Sequence, residues 1–303
     1  MKDASMLPAA SGGAGREQRR AVAALLVGAL IWGLIWYPYR VLRDAGVDGV
    51  AATTISYGLA FLLVWLARRS STPVVPSWPL LWLGLSAAVC NLGYVLATLS
   101  GDVLRVLLLF YLAPLWTVVL SRLLLDERLT GAGALAIALS LGGAVTMLWQ
   151  PRLGLPAPQD AADWLGLAAG FAFALFNVVS RRACNISVEN KVLAAFAGVV
   201  TLGVLLLLAG VGSARVPPSA SLWGLLALLA VVLVLANQVV QFGLARVAAN
   251  RAIVIMLSEI GFAAVGAWLL AGEAMALRDW LGGALIISAS LITAWRGEDG
   301  TRA

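Results

Sequence analysis

Ten apolar runs, each 18 to 23 residues long, divide almost the whole chain: 20–39, 49–67, 79–98, 103–125, 131–149, 162–181, 190–210, 221–241, 250–272 and 279–296. A helix needs about 20 apolar residues to cross a bilayer. Runs of this length predict helices, because lipid offers no partner for a backbone N–H or C=O and each span must satisfy its own. Charged residues make up 12% of the 303 residues and hydrophobic ones 61%. Roughly a quarter of a soluble domain is charged, so this chain cannot clothe a water-facing surface. The expectation is an all-α membrane protein of ten transmembrane helices.

The breaks carry turn and charge signals, among them Asp126-Glu127-Arg128, Arg181-Arg182 and Pro217-Pro218. Residues 16–38 also invite a signal-peptide reading, but the run is long, aromatic-rich and without a clear small-residue cleavage site, so a first membrane helix is expected. Fifteen of the 21 Lys and Arg residues fall on one predicted side, with the N-terminus, Arg181, Arg182, Lys191 and Arg246. By the positive-inside tendency that side is cytoplasmic, placing both termini inside (N-in/C-in). The net charge of +6 sits in short turns rather than in a patch, which argues against a nucleic-acid partner.

An internal repeat is visible. A shift of 146 residues sets Arg105 on Arg251, Glu127 on Glu273 and LAPLWTVVLSRLLLDERL (112–129) on SEIGFAAVGAWLLAGEAM (258–275). A shift of 141 sets IWGLIWYPYR (31–40) on AFALFNVVSR (172–181). Five helices per half is an odd number, so the second half enters the membrane in the opposite sense. Two inverted five-helix repeats around a central cavity are a recurrent plan of secondary transporters, with the substrate near the midplane. The expected organisation is a cytoplasmic tail (1–19), a first repeat (20–149), a linker (150–161), a second repeat (162–296) and a short cytoplasmic tail (297–303).

The Ala113-Pro114 step followed by LLLDERLTGAG (123–133), and Glu259 followed by LLAGE (269–273), resemble the EamA-type ten-helix members of the drug/metabolite transporter superfamily. The resemblance spans residues 20–296. The chain departs from the family pattern where Ile260, not proline, follows Glu259 and where Asp126 stands in place of a common glycine. The resemblance implies a helical basket with a central cavity, export of small metabolites across the cell inner (plasma) membrane, and, as the nearest type, an aromatic amino-acid exporter of the YddG kind.

Polar residues at lipid depth are costly unless they face a cavity or a partner. Asn91 and Tyr94, Asn177, Asn237 and Gln241, and Ser258 and Glu259 are the candidates on helices 3, 6, 8 and 9. Trp32 and Trp36 of helix 1, Tyr111 and Pro114 of helix 4 and Met256 of helix 9 join them, the aromatic faces and thioether suiting a ring and Pro114 freeing a backbone carbonyl. For the amides an interhelical hydrogen bond is the alternative, and for Pro114 a packing kink. Tyr37 and Tyr39 read as interfacial belt residues, and Arg105, Arg251, Glu127 and Glu273 as helix-end charges. The small-residue stripes Ala134, Ala138, Gly142 and Gly166, Gly170 read as close helix contacts.

Glu259 is the one carboxylate well inside an apolar run. It has three open roles: partner of a substrate ammonium, carrier of a coupling proton, or protonated structural residue. The absence of histidine, together with the lack of a paired acid cluster or a nucleophile with a visible base, argues against an enzyme, and no cofactor or metal is expected. No Lys or Arg lies mid-helix, which disfavours phosphate-bearing substrates. Export of small hydrophobic or aromatic amino acids is the leading expectation. Proton-coupled extrusion of lipophilic cations and a non-transport membrane role stand as alternatives. The expected partners are a small-molecule substrate and the lipid bilayer, with monomer or homodimer left open.

Overall fold

The computed structural model describes residues 11–67, 76–101, 103–149, 158–271 and 276–295. Among them are thirteen α-helices and no strand: α1 (Ser11–Leu34), α2 (Trp36–Asp44), α3 (Gly49–Ala67), α4 (Trp78–Ser100), α5 (Val103–Phe110), α6 (Ala113–Leu125), α7 (Gly131–Leu148), α8 (Ala161–Arg182), α9 (Val188–Leu208), α10 (Ala220–Leu244), α11 (Ala249–Met256), α12 (Ser258–Ala271) and α13 (Leu277–Trp295). Among the described residues, nine segments are long and apolar enough to cross a membrane, counting α1–α2, α5–α6 and α11–α12 as one each. The tenth expected run corresponds to α13, which is 19 residues long but outside those nine. Glu273 and the ends of the chain lie outside the described residues.

Three runs expected as single helices are each broken once, and local chemistry accounts for the breaks. Pro38 supplies no N–H to the carbonyl of Leu34, and α1 gives way to α2 at Ile35. Pro114 likewise leaves the Phe110 carbonyl without its helical donor, and Tyr111 and Leu112 form a turn between α5 and α6. No proline lies at Leu257. There the Ser258 hydroxyl donates to the Ile255 carbonyl at 2.7 Å, a local bond that competes with the helical ladder.

The helices pack through small residues. α4 crosses α8 and α9, α10 crosses α1 and α3, and α7 lies along α13. At the α7–α13 contact a Cβ on Gly143 would stand 2.6 Å from the Gly282 carbonyl oxygen, so the backbones approach as only glycine permits. Gly166 and Gly170 press on Val106 and Phe110 of α5 as expected. The expectation for α7 was one face out: Ala134, Ala138 and Gly142 are exposed, and Ala136, Ser140, Gly143 and Ala144 form the buried face. Small residues occupy both sides of that helix, so spacing alone does not choose between them. Large apolar side chains such as Leu66, Leu123, Leu208 and Leu269 point outward, as a lipid-facing exterior requires.

Charge gathers at the two ends of the bundle. At the end where α1 begins, Arg246 Nε lies 2.8 Å from Glu17 Oε1. Arg181 Nη1 donates to the Ala245 carbonyl at 2.6 Å, and its Nε lies 3.8 Å from Glu127 Oε1. The other Glu127 oxygen accepts from the Ala249 N–H at 3.0 Å. Buried Lys191 donates to the Ser180 carbonyl at 2.8 Å. At the opposite end Arg105 is buried and meets Asp163 at 2.5 Å, so its role exceeds that of a helix-end charge reaching for water.

Candidate functional site

A cavity of about 800 Å³ lies between the helices. Its walls come from α1–α5 and α7–α13, every helix but α6. It opens towards the end opposite the start of α1, where Arg40, Arg43, Thr98, Trp268, Arg278 and Asp279 form its mouth. Its floor lies near Asn177 and Asn237, one to two turns short of the inner ends of α8 and α10. Beneath that floor the Ser180 hydroxyl donates to Gln241 Oε1, and the Arg181 contacts close the end of the bundle.

Glu259 sits in the first turn of α12 and faces the cavity. Tyr111, in the turn between α5 and α6, donates its hydroxyl proton to Glu259 Oε1 at 2.8 Å. Two broken helices therefore meet through their breaks. The positive end of the α12 dipole lies where the carboxyl group stands, which favours negative charge there. α1 presses on this corner: a Cβ at Gly33 would fall 2.6 Å from the Glu259 carbonyl oxygen.

The walls are rich in aromatic side chains. Tyr94, Tyr111 and Phe173 each pack on Phe110, with ring centroids 5.4, 5.3 and 5.5 Å apart. Trp32 and Phe176 each pack against the adjoining buried clusters. The amides differ in their commitments. Asn91 accepts from the Tyr57 hydroxyl at 2.7 Å and donates to the Ala87 carbonyl at 2.8 Å. Asn237 donates to the Leu233 carbonyl at 3.0 Å. Asn177, only 1% exposed, has no partner at either amide atom.

Nine residues singled out from the sequence line this cavity: Trp32, Trp36, Asn91, Tyr94, Tyr111, Asn177, Asn237, Met256 and Glu259. Three lie off it. Pro114 is buried at the start of α6, Gln241 is buried beneath the floor against Ser180, and Ser258 is turned to the Ile255 carbonyl of α11. Tyr57, Phe110, Phe173 and Phe176 also line the cavity, and so does Tyr39, a residue expected at the membrane interface. One signal was available: the 141-residue shift sets Trp32 on Phe173 and Trp36 on Asn177, and all four face the same space. Among the described residues, no three of His, Cys, Asp and Glu gather where they could hold a metal ion.

Residues 19–149 and 160–295 match the EamA-like transporter family. This chain belongs to that family. As an EamA-like protein of the drug/metabolite transporter superfamily it is a multi-pass membrane transporter, in keeping with its nine span-length helices among the described residues. An uncharacterized transporter of Archaeoglobus fulgidus is 27% identical over 288 residues, covering 93% of this chain and 98% of that protein. An uncharacterized transporter of Pseudomonas aeruginosa is 29% identical over 177 residues. That match covers 54% of this chain and only 55% of its relative. A crystal structure with 19% identity superposes with a TM-score of 0.76 over 90% of this chain and 96% of its own, which shows a shared fold. In this EamA-like chain the cavity reaches one end of the bundle, while ion pairs and buried polar contacts occupy the other.

Proposed function

We propose that this EamA-like transporter exports small hydrophobic or aromatic amino acids across the cell inner (plasma) membrane. The observation that carries the reading is Glu259, a carboxyl group held by Tyr111 inside a cavity rich in aromatic side chains. Rings take the substrate side chain, and the carboxylate takes its ammonium. A volume of about 800 Å³ accommodates a ligand of that size, since small-molecule sites run from about 300 to 1,000 Å³.

Alternating access follows from the same frame as part of the proposal. Two oppositely threaded five-helix repeats rock about the midplane, and the conformation described here is open away from the start of α1. Support for the repeats comes from the breaks at Tyr111 and Leu257, which lie 146 residues apart, the shift that aligns the halves in sequence. The contacts are paired in the same way: α4 with α8 is answered by α10 with α1, and α4 with α9 by α10 with α3. The gathering of Arg181, Arg182, Lys191 and Arg246 near the start of α1 supports cytoplasmic termini, so the open end faces outward.

A second reading is extrusion of lipophilic cations, for which one carboxylate in an aromatic cavity is also a suitable partner. A flux screen in proteoliposomes separates the two. Tryptophan, phenylalanine and a lipophilic dye cation are offered in turn, with and without an imposed pH gradient. Saturable flux of the amino acids is expected. Flux of the dye with none of any hydrophobic amino acid overturns the proposal in favour of the cation reading. Dependence on the pH gradient shows that a proton is coupled, and its loss in Glu259→Gln assigns that proton to Glu259.

A further inference from the structure

Asn177 stands apart from the other polar residues of the cavity. The Asn91 and Asn237 amide nitrogens are spent on carbonyls of their own helices, at 2.8 and 3.0 Å. The hydroxyls of Tyr57, Tyr111 and Thr98 are donated to Asn91, to Glu259 and to carbonyls of α4. Asn177 is as deeply buried as a core leucine, lines the cavity, and bonds to no protein group through Nδ2 or Oδ1. A buried amide with neither bond made is costly to keep unless something completes it.

Position narrows what completes it. The floor beneath Asn177 is closed by Ser180 and Gln241, one turn further along α8 and on α10, which bond to each other. Asn177 therefore borders the cavity from below, its amide atoms covered by the surrounding side chains. Phe173, four residues earlier on the same helix, packs on Phe110, and Phe110 packs on Tyr111, which holds Glu259. Asn177 and Glu259 thus bound one aromatic-walled space from different helices. A zwitterion entering it can direct its ammonium to Glu259, while its carboxylate requires a donor away from that negative charge. An amide N–H supplies such a donor without adding a fixed charge.

We propose that Asn177 is the residue through which this site reads a substrate carboxylate, and so distinguishes an α-amino acid from the amine bearing the same ring. The inference rests on the cavity being the substrate site. A site built to bond a polar group discriminates strongly against the analogue that lacks it, because its own buried group is then left unpaired. Glu259 alone attracts both compounds; Asn177 adds a contact that only the amino acid satisfies.

Tryptophan and tryptamine, which differ by the carboxylate, form the test in proteoliposomes of the full chain. Replacing Asn177→Leu keeps the branched four-heavy-atom shape, somewhat enlarged, and removes both hydrogen-bonding atoms. The half-saturation for tryptophan should rise at least tenfold while that for tryptamine stays within twofold. Asn177→Asp opposes the carboxylate directly, and should abolish tryptophan flux while leaving tryptamine flux equal or improved. Asn177→Ser, smaller and still a donor, should give an intermediate ratio and guards against a leucine variant that fails to fold. Equal losses for both compounds, or no change in their ratio in any variant, overturn the proposal and assign Asn177 to packing. A wild-type protein that carries tryptamine but not tryptophan overturns it while sparing the cavity as a site. A wild type that carries neither, and is protected from heat by neither, removes both readings.

Discussion

Tyr111 and Glu259 lie 148 residues apart in sequence and 2.8 Å apart in the fold, hydroxyl to carboxylate. Each stands at a break in a transmembrane run, where the helix has already given up part of its ladder. The pairing ties the two halves of the chain together at the cavity wall and fixes where its one mid-span carboxyl group points.

Loss of that hydroxyl should weaken substrate binding without unfolding the protein. A hydrogen bond to a charged group contributes about 1.5 kcal/mol at the lower end of its usual range, which is roughly tenfold in affinity. Tyr111→Phe should therefore raise the half-saturation for tryptophan about tenfold in a flux assay. An unchanged value would show that Glu259 needs no support from Tyr111.

The contacts of Arg181 with Glu127 and the Ala245 carbonyl join the ends of α8, α6 and α10 on the closed side. Arg181→Gln should loosen that side. Cys90 lines the cavity and reports on it, once exposed Cys184 is replaced by serine. A membrane-impermeant maleimide applied from the face where α1 begins should label Cys90 roughly tenfold faster in the variant. Equal rates would mean that other contacts hold this end shut.

Asp163, 1% exposed, is paired with Arg105. Removing one member of a buried pair strands the other charge, at a cost of about 3 kcal/mol. Asp163→Leu should lower the thermal midpoint in detergent by several degrees. The double variant Arg105→Leu with Asp163→Leu should recover at least half of that loss. No recovery would point to Asp163 acting mainly through its other contact, the Gln159 N–H at 2.9 Å.

Gly33 has no room for a larger residue, because a Cβ there would meet Phe262 Cβ at 2.9 Å as well as the Glu259 carbonyl. Gly33→Val should cost roughly 1–3 kcal/mol through overpacking and displace the start of α12. Transport should fall even in the folded fraction, measured as flux per folded molecule. Full flux per molecule would show that the corner tolerates a shift.

Much of this architecture is legible in the residues, and the limits are physical. Run length shows where the spans lie, because lipid imposes one length on all of them. It does not show the break at Leu257, which has no proline and rests on a serine hydroxyl bonding a carbonyl of the preceding turn. Nor does it show which face of α7 is buried, since small residues occupy both. Polar residues inside apolar runs point to the cavity because each needs a partner, and Asn91, Asn177, Asn237 and Glu259 all line it. Gln241 has the same signature yet lies beneath the floor, where its Oε1 accepts from Ser180 on the facing helix. Phe173 and Phe176 carry no such signal: a phenylalanine in a membrane helix is equally at home against lipid, core or ligand.

The most direct test of the central claim is tryptophan flux into proteoliposomes by the wild type and by Glu259→Gln, measured side by side on protein of matched thermal stability. Saturable wild-type flux that falls below about a tenth in the variant, a loss of at least about 1.4 kcal/mol, is the expected result. Undiminished flux with glutamine at that position would contradict the account, since the carboxylate would then take no part in carrying the substrate.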